Sequence, residues 1–283
     1  MADVLLILGK ALELSTPLIL AALGGLYSER AGVMNIALEG KMLASACAVA
    51  LISVASGNPL IGLLVGVLAA TLLSLLHYML TQKFRIDHVV SGMAINVLAI
   101  GGCRFAYAQF TDKNRSGEIP HLPEAAYWAL AAVMPFAVAL YLRQTRPGLR
   151  LLAVGNDPDK SREAGINVAR VRLQSLAICG LLCGLAGALI VTKTANYSDD
   201  MTAGKGFIAL AALVVGGWRP LPTLAACLFF ALCEAIQQVL QGGKGWLSAI
   251  PPQYWNTLPY IATIFALAFL GGKFRVPSGM GKP

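Results

Sequence analysis

The sequence predicts an all-α polytopic membrane protein, one domain over residues 1–283 with eight or nine transmembrane helices, some of them short or broken. Three observations carry that prediction. Of the 283 residues, 57% are hydrophobic and 13% charged, where a soluble domain carries roughly a quarter charged residues. Apolar stretches of about bilayer length recur from one end of the chain to the other. The long polar run, 143–172, lies between two such stretches and holds seven basic residues against Asp157, Asp159 and Glu163.

Nine stretches qualify as spans: 4–26, 42–55, 60–80, 89–110, 125–142, 173–192, 205–217, 220–240 and 257–272. The second and seventh are short, and short or glycine-interrupted segments mark substrate sites in many transporters. Lys and Arg accumulate on the cytoplasmic side of a membrane. Placing 143–172 there also puts Lys83, Arg85, Arg219 and the tail residues Lys273, Arg275 and Lys282 inside. The loops 111–124, 193–204 and 241–256 then fall outside, as does the N-terminus, unless 4–55 contains a re-entrant piece. The start, MADVLLILGKALELSTP, lacks a basic n-region and a clear cleavage site. A net charge of +8 fits this loop bias and anionic lipid heads. No aromatic-interleaved basic patch points to nucleic acid.

The hairpins 42–55/60–80 and 205–217/220–240 begin their second arms with NPLIGLL and RPLPTLA, a candidate inverted repeat. Gly180, Gly184 and Gly187 have small-xxx-small spacing, read here as internal packing. The six cysteines lie in apolar segments and read as small core residues.

Polar groups inside spans are the candidate functional residues, because each must face a cavity, a partner or the interface. The stretch GLYSERAGVMNIALEGK, 25–41, holds Glu29, Arg30, Asn35, Glu39 and Lys41. Two readings stand open: a solvated intracellular hairpin, or a broken helix entering the membrane along a pathway. Asn96 lies within its span and needs hydrogen-bond partners. Glu234, Gln237, Gln238 and Gln241 share a helical face near the outer end, and Arg104 can snorkel there. Ser74, His77 and Thr81 share a face near the inner end. There is no G-x-x-x-x-G-K-[ST] phosphate loop, zinc pair H-E-x-x-H or G-x-S-x-G elbow, so the chain is expected to be no enzyme. Within 143–172, DPDKSREAGINVARV reads as a short helix starting near Asp157 or Asp159.

SERAGVMNIALEGKML (28–43), HVVSGMAINVLA (88–99), AVGNDPDKSREAGINVARVRL (153–173), GLLCGLAGALIV (180–191) and GFIALAALVVGGWRP (206–220) resemble the membrane permeases of bacterial ABC importers. The branch is that of ribose-type sugars, branched-chain amino acids and nucleosides, and the form is nearest the shorter nucleoside permease. The resemblance implies a multi-pass subunit of the bacterial cytoplasmic (inner) membrane, working by alternating access. It implies a longer paralogous permease as heterodimer partner, an ATPase with two fused nucleotide-binding domains, and a substrate-binding lipoprotein outside. Cofactors, ATP with magnesium, would belong to the ATPase and none to this chain. The coupling loop to that ATPase would comprise Gly155, Asn156, Arg162, Glu163, Ala164, Gly165 and Ile166. The chain departs from the pattern at Ser161-Arg162, where two small residues are usual. Asn35, Glu39 and Asn96 are expected to line part of the path, offering hydrogen bonds to a neutral nucleoside. Simple sugars or branched-chain amino acids are the alternative cargo, and an ion-driven secondary transporter is the alternative class.

Overall fold

A computed structural model describes residues 2–110, 120, 123–194, 196–199, 201–241, 257, 261–265, 268 and 276–281. The helices in chain order are α1 (Ala2–Arg30), α2 (Leu38–Ser56), α3 (Pro59–Tyr78, prolonged by a π turn Met79–Lys83), α4 (His88–Phe110), α5 (Glu124–Gln144), α6 (Arg146–Asn156), α7 (Pro158–Glu163), α8 (Val168–Thr194), α9 (Lys205–Val215) and α10 (Pro220–Gln241). Among the described residues, seven helices are long and apolar enough to cross a membrane. The all-α multi-pass class is therefore the observed one.

Three boundaries differ from the sequence reading. The second span is not short: α2 begins at Leu38, because Glu39 and Lys41 are helical and buried instead of solvated. The seventh is shorter than read. At 11 residues, α9 is about 16 Å long, half the thickness of a bilayer core. The ninth, 257–272, falls mostly outside the described residues, of which 261–265 are helical. The loops 111–124 and 241–256 also lie largely outside them.

The centre of the bundle is α1 and α8. The most apolar stretch of α8 is 78% buried against 22% for α3, so α8 is walled by protein and α3 turns one side outward. Small residues make that enclosure possible. At Gly184 a β-carbon would stand 2.7 Å from Val67 Cα, and at Gly187 one would collide with the Met42 carbonyl. The glycine triplet of α8 thus receives α3 and α2 within the chain, the internal packing expected of it.

α1 runs antiparallel to α8. Lys193, near the end of α8, pairs with Glu13 at 3.3 Å, while Arg30, at the end of α1, lies against Gly155. The start of α1 and the polar segment 146–167 are therefore on opposite faces. Exposed large apolar side chains on α3, α4 and α5, among them Leu64, Leu68, Val97, Phe105, Val133 and Phe136, face outward as lipid- or partner-covered surface requires.

Candidate translocation and coupling sites

The chain is non-helical at 33–35 and at 196–199, and the next helices along the chain, α2 and α9, start against each other. Glu39, in the first turn of α2, accepts hydrogen bonds from the backbone N–H groups of Gly204 (2.9 Å) and Gly206 (2.5 Å). Its carboxylate therefore satisfies donors that the start of α9 would otherwise leave unpaired. Negative charge there also complements the positive end of the α9 dipole. The approach is close: a β-carbon at Gly206 would collide with the Glu39 backbone.

Asn35 and Asn96 hold the entry to α2 in shape. Asn96 accepts from Gly40 N–H at 2.8 Å and donates to the Ile36 carbonyl at 3.1 Å, so it replaces backbone pairing that a helix would have supplied. Asn35 Oδ1 accepts from Lys41 Nζ at 2.9 Å, and its Nδ2 donates to Ser28 Oγ at 3.1 Å. All three expected path residues are buried. They converge on one junction, and in this conformation each uses its polar atoms within the chain.

The solvated-hairpin reading of 25–41 is overturned. Glu29 is 2% exposed and Lys41 0%. Glu29 accepts from the indole N–H of Trp218 at 2.5 Å, and Arg30 Nε donates to the Trp218 carbonyl at 2.7 Å. The turn between α9 and α10 is thereby tied to the end of α1. Sequence reasoning named Lys41 without its partner Asn35 and missed Trp218. The signal was present in GGWRP, a tryptophan beside a bend directly after a short apolar helix.

His77 is fully buried, with Ser91 Oγ at 2.9 Å and the Met34 carbonyl at 3.0 Å. It is a packed residue holding α3, α4 and the broken entry together. Glu234 pairs with Lys205 at 3.1 Å and Arg104 with Asp199 at 3.1 Å, both on the face away from 146–167.

The polar segment holds two helices and not one. α6 is amphipathic, with Leu151, Val154 and Gly155 buried and Arg146 and Arg150 exposed. Thr145 caps its start, accepting from Gly148 N–H at 3.1 Å. The expected helix through residue 171 stops at Glu163. Gly165 takes φ +77°, Gly165 N–H reaches the Arg162 carbonyl (3.0 Å) and Ile166 N–H reaches that of Ser161 (2.9 Å). That is a Schellman closure, which a glycine accommodates best. Of the two aspartates it is Asp157 that caps α7, accepting from Lys160 N–H at 3.1 Å. This bond holds the Asp157 carboxyl below the usual carboxylate range. Asp159 instead pairs with Arg162 at 2.7 Å.

The seven expected coupling residues therefore form one unit: Gly155 and Asn156 end α6, Arg162 and Glu163 end α7, and Ala164 to Ile166 make the turn. A segment that sequence reading missed, 276–281, straps this unit to the end of α1. Gly279 N–H donates to the Gly155 carbonyl (2.9 Å), Ser278 Oγ to that of Asn156 (2.7 Å) and Gly281 N–H to that of Gly32 (2.9 Å).

Residues 7–267 match the family model described as branched-chain amino acid transport system / permease component. The chain is 34% identical to the guanosine ABC transporter permease protein NupQ of Bacillus subtilis, covering 98% of this chain and 96% of that one. It is 31% identical to the nucleoside ABC transporter permease protein NupC of Lactococcus lactis (98% and 95%) and 30% to a putative glucose ABC transporter permease protein, TsgC13, of Haloferax volcanii (93% and 91%). Bacillus subtilis has a second, more distant relative, the guanosine ABC transporter permease protein NupP, 25% identical over 94% of this chain and 84% of its own length.

Proposed function

The chain belongs to the branched-chain amino acid transport system permease family, and from that premise we propose that it is the shorter permease of an ATP-driven nucleoside importer in the bacterial inner membrane. The observation that carries the reading is α7. It is a six-residue helix, capped at both ends and exposed along Asp159, Lys160, Arg162 and Glu163. Behind it, Gly155 is packed against the end of α1. Such an element is fixed from behind and exposed in front, as a contact for a motor subunit must be.

A separate ATPase binds ATP with magnesium and presses on α7. A second, longer permease completes the path, as the matches to both NupQ and NupP support. A lipoprotein delivers substrate on the opposite face. The path passes the junction of Asn35, Glu39 and Asn96, whose opening in the alternate state would turn amide and carboxylate groups toward a neutral nucleoside. ATP can drive that change only by binding one state better than the other.

Uptake of labelled nucleosides into cells lacking this chain, with and without its restoration, tests the assignment. Loss and rescue are expected. Unchanged nucleoside uptake beside lost sugar uptake would move the cargo to the class named for TsgC13. Glu163→Arg, expressed at normal level, is expected to abolish uptake; full uptake would remove α7 from the coupling role.

A further inference from the structure

A cavity of about 840 Å³ opens beside the coupling turn, lined by Tyr78, Gln82, Arg85, Arg162, Asn167 and Arg172. Among the described residues that line it the one acid is Asp159, which is already paired with Arg162. Arg172 is 1% exposed. Its Nε donates to the Ala31 carbonyl and its Nη1 to Gln82 Oε1, while Nη2 is closed off on the side of Gly32. Arg172 therefore fixes a positive charge in the cavity wall while the exposed Arg85 and Arg162 present theirs at the rim, and a guanidinium matches a phosphate better than any other side chain does.

Arg85 makes the same point from the backbone. It sits at φ +55°, behind a closure in which Ile86 N–H bonds the Leu80 carbonyl at 3.0 Å. Glycine takes that conformation freely; another residue there costs about 1–2 kcal/mol. An arginine kept in strain at a cavity rim points to use of its charge.

The depth of the cavity selects the ligand. α3 has 20 residues, about 30 Å, so its end at Tyr78 reaches headgroup level. Leu64, Leu68, Leu72 and Met79 are exposed along it and form a face for acyl chains, with exposed Phe84 and Ile86 beside the rim. We propose that this cavity binds the phosphate of an anionic phospholipid of the cytoplasmic leaflet, so that lipid steadies the π turn against the coupling turn. The inference rests on the orientation that puts 143–172 inside, and not on the cargo.

The test is the thermal midpoint of the full chain in neutral detergent, with phosphatidylglycerol, phosphatidylcholine or inorganic phosphate added. Phosphatidylglycerol is expected to raise the midpoint by several degrees and the other two not. Arg172→Gln is the obvious variant but empties a buried site. Arg85→Gly relieves strain, so its own midpoint should hold or rise while the phosphatidylglycerol shift falls by half or more. An equal shift with phosphatidylcholine, an equal shift with inorganic phosphate, or a full shift in Arg85→Gly would overturn the proposal. So would an Arg85→Glu protein that keeps the lipid shift but no longer holds the ATPase, since the cavity would then be a motor contact. No arm reads transport, so a negative result leaves the importer assignment where it stands.

Discussion

At the scale of single residues, the junction is held by side chains standing in for backbone. Glu39 accepts two N–H groups of α9, and each buried donor left unpaired costs about 1–3 kcal/mol. Glu39→Ala is therefore expected to lower the thermal midpoint markedly. Glu39→Gln, which keeps one acceptor oxygen but turns an amide toward the second N–H, should fall between. Equal midpoints for both variants and the parent would show that water replaces the carboxylate and that the junction is not closed by it. Asn96→Ala should behave like Glu39→Ala, since it orphans Gly40 N–H and the Ile36 carbonyl. Uptake by these variants bears on the path only after stability is matched. At Asp157 the sign comes from its hydrogen bond. A carboxylate held below its usual range stabilises α7 fully above the ordinary aspartate pKa and loses that effect as pH falls through the lowered value. Protection of the Lys160 amide from exchange is thus expected to be flat from neutral pH down to the aspartate range and to collapse below it. Loss of protection near neutrality would contradict the cap.

At the scale of elements, the apolar spans were legible because a bilayer demands uninterrupted hydrophobic length, and seven of the nine are full-length helices near the stretches read. What misled was charge. Glu39 and Lys41 made the start of α2 look like loop, since hydropathy cannot register that one caps a distant helix and the other bonds Asn35. Gly165 was visible as a glycine but not as a helix stop, because the stop is made by two closing hydrogen bonds, from the N–H groups of Gly165 and Ile166. The site residues were found as a group, yet the contacts of Glu39 and Asn96 were not, since those run between positions 56 to 167 apart. The strap 276–281 was illegible for the same reason. Its role can be tested at Gly279, where a β-carbon would stand 2.8 Å from the Gly155 carbonyl and 2.9 Å from Pro158 Cδ. Gly279→Ala is expected to undock the strap, giving fast exchange at the Gly281 amide while the spans keep their protection. Unchanged exchange would mean that the neighbours yield and the strap stays.

At the scale of the whole molecule, α7 and the junction are joined by one chain of contacts. From α7 it passes through Gly155 to the end of α1, where Glu29 bonds both the Trp218 indole and, at 3.4 Å, the Asn35 backbone N–H. Asn35 then reaches Lys41 inside α2. Contiguity alone does not make a route for motion; a change at one point must alter the other. Trp218→Phe is the cleanest probe of it. The ring still fills its 5%-exposed site, but the N–H that answers the Glu29 carboxylate is gone. If α1 and the α9–α10 turn move as one body, the variant assembled with its ATPase should hydrolyse ATP at the parent rate while nucleoside uptake falls severalfold. If both activities fall together with the thermal midpoint, the bond serves only the fold. Parent values for both would mean that the proposed coupling of α7 to the junction does not run through this bond, and the direct packing of α8 on α2 through Gly187 is the next contact to cut.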